Sequence, residues 1–129
     1  MILLKVITIK QPWATLITLG YKQYEFRTWQ TKYRGPLLIH AGKGIDKTAL
    51  KRFEDMHLNY PKGNIIAEVN LDDCILIDKK FNEQLKGNSK VYGTDDKIGI
   101  YAWKLSNVKI INNNKNIKGQ LGLWNIENL

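Results

Sequence analysis

Gln11-Pro12-Trp13-Ala14, then Gly20-Tyr21-Lys22-Gln23-Tyr24-Glu25-Phe26-Arg27, then Arg34-Gly35-Pro36-Leu37-Leu38-Ile39-His40-Ala41: the reading of the fold turns on these three blocks. Pro12 suits the first turn of a helix, where a missing N–H costs nothing. Trp13, Leu16 and Ile17 follow at helical spacing, and Gly20 is placed to end the turn. Tyr24 to Trp29 then alternates. Period two sends Tyr24 and Phe26 to one face and Glu25, Arg27 and Trp29 to the other. Gly35-Pro36 punctuates the chain, and Leu37 to Ala41 reads as a buried strand.

Upstream, Leu3 to Ile9 is rich in β-branched residues and reads as a strand. Downstream, Asp46 is placed to cap a helix running to about His57, with Ala49, Leu50, Phe53 and Met56 on its inner face. Pro61 to Asn64 is a turn signal. Ile65 to Leu71 alternates, and Cys74 to Ile77 continues the sheet after a bend at Asp72-Asp73. The polar stretch Lys79 to Tyr92 has room for a short helix. Ile98 to Leu105 and Val108 to Ile111 read as two strands joined by a tight turn at Ser106-Asn107. Asn112 to Lys118 is a loop and Leu121 to Ile126 a last strand. About six strands and two or three helices, in an order without βαβ repetition, favour a small barrel over a doubly wound sheet.

The 129 residues suit a single domain over 1–129, and a hydrophobic content of 43% supplies a core. Twenty Lys and Arg against twelve Asp and Glu give a formal charge of +8. Such a field attracts polyanions, RNA and DNA first among them. One cysteine, Cys74, among apolar neighbours, reads as a buried structural thiol. With one cysteine, two histidines and no His-x-Glu spacing, no metal site is expected, nor any cofactor. Neither a signal peptide nor a run long enough to span a bilayer is legible, so the expectation is a cytoplasmic protein with no membrane partner.

The three blocks resemble the signature of the ASCH domain family: a QPWA motif, a short helix, GxKxxExR, an aromatic, and RGxxxIHA. Weaker similarity continues at Gly63 to Val69, Tyr101 to Trp103 and Lys118 to Trp124. The resemblance implies a mostly-β α+β fold, a small PUA-like β-barrel of about six strands with two or three flanking helices. PUA-like folds are widely associated with RNA binding and modified-base recognition, and fold alone does not fix function.

Several side chains are candidates for contact with nucleic acid. Glu25 and Arg27 share a strand face, and Lys22 lies just before that strand. Together they suit a cleft floor in which the cations hold phosphate or a base edge while Glu25 orients them or accepts from a base amino group. The alternative is a structural ion cluster at the barrel mouth. Trp29 shares the face of Glu25 and Arg27 and suits base stacking, worth roughly 1–3 kcal/mol. Trp13 divides between core and cleft. Trp103 and Trp124 read as packing. Arg34 and Lys43 flank the buried strand and suit phosphate contacts. His40 alternates into the sheet as a satisfied core residue.

The main expectation is therefore a nucleic-acid-binding protein, for RNA or a single strand, working through a basic cleft around Lys22, Glu25 and Arg27. A small hydrolase is the alternative. Some bacterial ASCH proteins are similar to amidohydrolases that deacetylate acetylated cytidine nucleosides with a Lys, Thr and Glu set. The resemblance puts Lys22 in the Lys place and Glu68 in the Glu place, while Glu25 occupies the Thr place. A carboxylate is not a hydroxyl, so Thr28 or a bound water would have to substitute. Lys22, Glu25 and Glu68 would be catalytic in that case. A metal-free ribonuclease using Glu25, Lys22 and Arg27 is a variant of the same idea. A third reading is an adaptor whose basic surface meets an acidic protein.

Overall fold

The computed structural model describes residues 2–129. Strands β1 (Leu4–Gln11), β2 (Tyr24–Arg27), β3 (Gly35–Ile45), β4 (Asn64–Leu76), β5 (Tyr101–Ile110) and β6 (Leu123–Ile126) form one mixed sheet. Its order is β2-β5-β4-β3-β1-β6. The β1–β3 pair is parallel and all the others antiparallel. Four short helices flank it: α1 (Trp13–Thr18), α2 (Lys47–Lys51), α3 (Lys79–Lys86) and α4 (Ser89–Tyr92), with a 3-10 turn at Glu54–Met56. This is the expected small, mostly-β α+β fold.

The expected barrel is not closed. The sheet ends at β2 on one side and β6 on the other, and no ladder joins them. Side chains bridge the gap instead. β6 pairs with β1 only as far as Ile7. Just past that point the Arg27 guanidinium, on β2, donates to the Thr8 carbonyl at 3.0 Å. Trp29 accepts the Trp103 indole N–H through its carbonyl, and its ring meets Gly122 just before β6. The sheet curls until its edges approach, and polar and aromatic contacts do what backbone pairing does in a closed barrel.

Two expected breaks prove to be bulges. Residues 101–110 form one strand, not two. Asn70 pairs with Ser106 and Glu68 with Lys109, so Asn107 and Val108 face Val69 alone. Asn107 takes the extra residue up with a φ of 52°, which is the geometry of a bulge and not of a hairpin. The bend at Asp72-Asp73 likewise sits within continuous β4, with Leu71 opposite Leu105 and Asp73 opposite Lys104. The helix expected from Asp46 to His57 is cut to α2 plus the 3-10 turn, although Asp46 does cap it, accepting from the Ala49 N–H at 3.0 Å. The Lys79–Tyr92 stretch folds as α3 and α4, the first capped by Asp78.

The core lies on both sides of the sheet. Ile7, Ile39, Val69, Leu71 and Trp103 are buried in one cluster, and Leu16, Phe53, Ile77 and Tyr92 in another beneath the helices. Gln11 is fully buried and accounts for the QPWA block. Its side chain accepts the Thr15 N–H at 2.9 Å and donates to the Pro61 carbonyl at 2.8 Å. It thus serves one of the unpaired donors at the start of α1. The Gln11–Pro12 peptide is cis.

Candidate functional site

Lys22 reaches its position through the end of α1. Gly20 adopts a φ of +85°, and the N–H groups of Tyr21 and Lys22 both return to the Leu16 carbonyl, at 2.9 and 3.1 Å. This tight ending, which favours glycine, turns the Lys22 side chain under the helix, where the residue is only 3% exposed. Its ammonium donates to the Tyr24 carbonyl and stands 3.5 Å from Glu25 Oε1. The rings of Phe26, Trp13 and Tyr92 surround it, with centroids at 4.4, 5.4 and 5.5 Å. An ammonium has three donors. Two are directed at Tyr24 and Glu25, and the third is left to the rings and the adjoining space.

Glu25 completes a chain of charges. Its Oε2 accepts from Arg27 Nη2 at 3.0 Å, so one carboxylate lies between two cations. Burial lowers the Lys22 ammonium from 10.5 to about 8, and Glu25 works against that shift by attraction and hydrogen bonding. A buried lysine whose pKa is lowered by burial beside a carboxylate, at the wall of a cavity, is a common mark of a functional site.

Two cavities meet at this cluster. One, of about 230 Å³, is lined by Lys22, Tyr92, Arg52 and Lys97 among others. The other, of about 460 Å³, is lined by Lys10, Arg27, Lys43 and the glycines 42, 44 and 122. Trp13, Glu25 and Phe26 belong to both. The walls carry six cations, Lys10, Lys22, Arg27, Lys43, Arg52 and Lys97, against three carboxylates, Glu25, Asp46 and Asp95. Arg52 lies with its guanidinium carbon 5.4 Å from the Trp13 ring centroid and donates to the carbonyls of Lys90 and Val91. Lys97 donates to the Tyr92 carbonyl at 2.7 Å, and burial lowers its pKa.

The structure brings together Trp13, Lys22, Glu25, Arg27 and Lys43. It leaves the other sequence candidates outside. Arg34 folds back on its own loop, donating to the carbonyls of Thr31 and Tyr33 and pairing with Asp73 at 3.4 Å, and it lines neither cavity. Trp29 is 37% exposed but stands T-shaped against Trp103, at the outer side of Gly122. Glu68 lies on β4, pairs with Lys109 at 3.8 Å, and does not reach Lys22. The set Lys22, Glu25 and Glu68 therefore does not converge. Lys10, Phe26, Arg52, Tyr92 and Lys97 join the cleft without any signal in their local sequence.

A third cavity, of about 550 Å³, lies beside His40 and Thr8, under the loop of residues 116–121. Here Thr8 and His40 are paired with the protein's own groups. Trp124 Nε1 donates to Thr8 Oγ1 at 3.1 Å, Thr8 Oγ1 stands 3.2 Å from His40 Nδ1, and His40 Nε2 lies 2.6 Å from the Ile117 carbonyl. His40 is a satisfied core residue, and its work is to hold the loop. Among the described residues no three His, Cys, Asp or Glu side chains gather as a metal ion would require. No helix among them is long and apolar enough to cross a membrane.

Comparison with known proteins agrees with this architecture. The family model described as the ASCH domain matches residues 7–115. Activating signal cointegrator 1 of Homo sapiens is 30% identical over 131 aligned positions, which take in 71% of this chain and 22% of that protein. The Mus musculus protein of the same name gives the same figures. The match thus spans about a fifth of the length of these relatives. Among solved structures, a Tyr-to-Phe mutant of the ASCH protein from Zymomonas mobilis superposes with a TM-score of 0.54. The superposition covers 95% of this chain and 89% of that one at 16% identity, a likeness of fold.

Proposed function

This chain belongs to the ASCH domain family, and from that premise we propose that it binds nucleic acid, single-stranded RNA foremost, in the double cavity around Lys22, Glu25 and Arg27. The observation that carries the reading is the pairing of charge with aromatic surface. Six cations and three aromatic faces converge on one indentation of a protein whose net charge is +8. Phosphates suit the Lys10, Lys43 and Arg27 side. A base suits the Trp13, Phe26 and Tyr92 side, where stacking is independent of sequence. Glu25, held between Lys22 and Arg27, is a ready acceptor for a base amino group.

The test is binding of a fluorescein-labelled RNA single strand across a series of salt concentrations. Counterion release predicts that log K falls linearly with log salt, with a slope of about −0.7 for each phosphate neutralised. A Lys10→Ala, Lys43→Ala double variant should flatten that slope. Absence of binding at low salt would remove the proposal.

A second reading has one observation in its favour. The Lys22 amine is held at about 8 beside a carboxylate, which suits proton transfer to an acylated nucleoside or to RNA. Glu68 stands apart from it, so any such chemistry rests on Lys22 and Glu25. Acetylated cytidine and labelled RNA left intact after prolonged incubation would end this reading.

A further inference from the structure

Leu121 is 99% exposed, the largest value for any large hydrophobic side chain among the described residues. A single exposed leucine is ordinary on a protein surface. Its position is not ordinary. Leu121 lines both the cavity of Arg27 and Lys43 and the cavity of His40, and so stands on the ridge between them.

That ridge is held from below. Ile117 donates its N–H to the Gly63 carbonyl at 2.7 Å, and its carbonyl is held by His40. Gly119 is pressed onto the sheet so closely that a Cβ would lie 2.9 Å from Thr8 Cγ2 and 3.1 Å from His40 Cε1. Gly122 turns with a φ of +65° against the Trp29 ring, and that ring is itself set against the buried Trp103. The chain is thus pinned on both sides of Leu121, and the leucine is raised on a fixed support. The cationic neighbours Lys43 and Lys118 line the cavity on the His40 side, and Lys10, Arg27 and Lys43 the other.

Resting on the nucleic-acid reading above, we infer that Leu121 is a wedge that enters the base stack of a bound strand. An apolar side chain carried on a fixed backbone can separate two stacked bases because it replaces one stacking face with another apolar surface. The parted bases then need somewhere to go. One side of the ridge leads to the Trp13 and Phe26 wall of the Lys22 chamber, and the other opens on the cavity of about 550 Å³ over His40. Removing a base from its stack is least costly where it is unpaired or mismatched. The wedge thus favours loops, ends and mismatches over intact duplex. RNA and DNA share this chemistry.

The experiment uses the full chain with RNA and DNA oligonucleotides carrying one central 2-aminopurine, as single strands and as mismatched duplexes. Stacking quenches this base, so unstacking raises its fluorescence. The wild type should brighten the probe several-fold on saturation. Leu121→Ala should abolish the rise, read at protein concentrations that saturate the strand. Leu121→Met should restore it. Far-ultraviolet circular dichroism and thermal melting should be unchanged in both variants. Binding by the wild type without brightening, or equal brightening by Leu121→Ala, would overturn the wedge while leaving the binding proposal intact. A wild type that binds no oligonucleotide would overturn both. Loss of vesicle or protein association in Leu121→Ala, with the probe signal unchanged, would assign the leucine to a membrane or a protein partner and overturn the wedge.

Discussion

Lys22 and His40 are both polar, both buried and both beside a cavity, and they differ in how far the fold has used up their hydrogen-bonding capacity. His40 sits in a complete chain. Trp124 donates to Thr8, Thr8 meets Nδ1, and Nε2 meets the Ile117 carbonyl. With Nε2 donating to that carbonyl, Nδ1 is left to accept from the Thr8 hydroxyl, and nothing is left over. Lys22 has a carbonyl, a carboxylate at 3.5 Å and three aromatic rings, in a place where burial works against its charge. Burial alone therefore does not mark a functional group. What marks one is polarity that the protein's own groups leave incompletely satisfied, at an opening a ligand can enter.

Three measurements would break or sharpen the contrast. The largest effect belongs to His40. His40→Ala should leave the Ile117 carbonyl unpartnered and open a cavity in a buried site, at a cost of about 3–5 kcal/mol in urea denaturation. A loss below about 1 kcal/mol would show that the loop does not depend on this residue.

The next effect concerns Lys22 and pH. Its folded-state pKa is about 8 against an ordinary 10.5. Between those values the unfolded chain holds a proton that the folded chain has released, so stability rises as pH rises. Over that window the wild type should gain about 3 kcal/mol relative to Lys22→Met, which has no such proton. Lys97 and Tyr92 also have shifted pKa values, lowered and raised by burial, and both are present in the two proteins, so the difference reports Lys22 together with its coupling to Lys97. Parallel stability curves for the two would show that burial does not penalise this ammonium.

The smallest effect separates Lys43 from Arg34, two basic residues that flank the same strand. Lys43→Ala should weaken oligonucleotide binding by about 1 kcal/mol and lower the salt slope by roughly one phosphate. Arg34→Ala should change stability by less than about 0.5 kcal/mol, as expected of an exposed ion pair, and leave affinity alone. Fluorescence anisotropy on both variants in parallel checks this. Equal losses would extend the cleft to the Arg34 loop.

Much of the fold was legible because local rules suffice for it. β-branched content placed β1, alternation placed β2 and the first half of β4, the apolar run after Gly35-Pro36 placed β3, and Asp46 announced its cap. The bulges at Asp72 and Asn107 were not legible as bulges. A polar residue that lets a strand absorb one extra position resembles a turn when read without its partner strand. The site was legible at Lys22, Glu25 and Arg27, which lie within six residues of one another along the chain. It was illegible at Lys10, Arg52, Tyr92 and Lys97, which reach the same space from β1, from the end of α2, from α4 and from the loop before β5.

The amino-acid sequence alone determined where most of the strands lie, the basic charge and the membership implied by three ordered blocks. Each of these is encoded in neighbouring residues and needs no knowledge of distance. Only the tertiary structure decided that the sheet stays open and is bridged by Arg27, that Glu68 is remote from Lys22, and that Leu121 stands between two cavities. The physical reason is that these outcomes depend on sheet order and curl, which bring residues from separate strands and loops together and carry no mark along the chain.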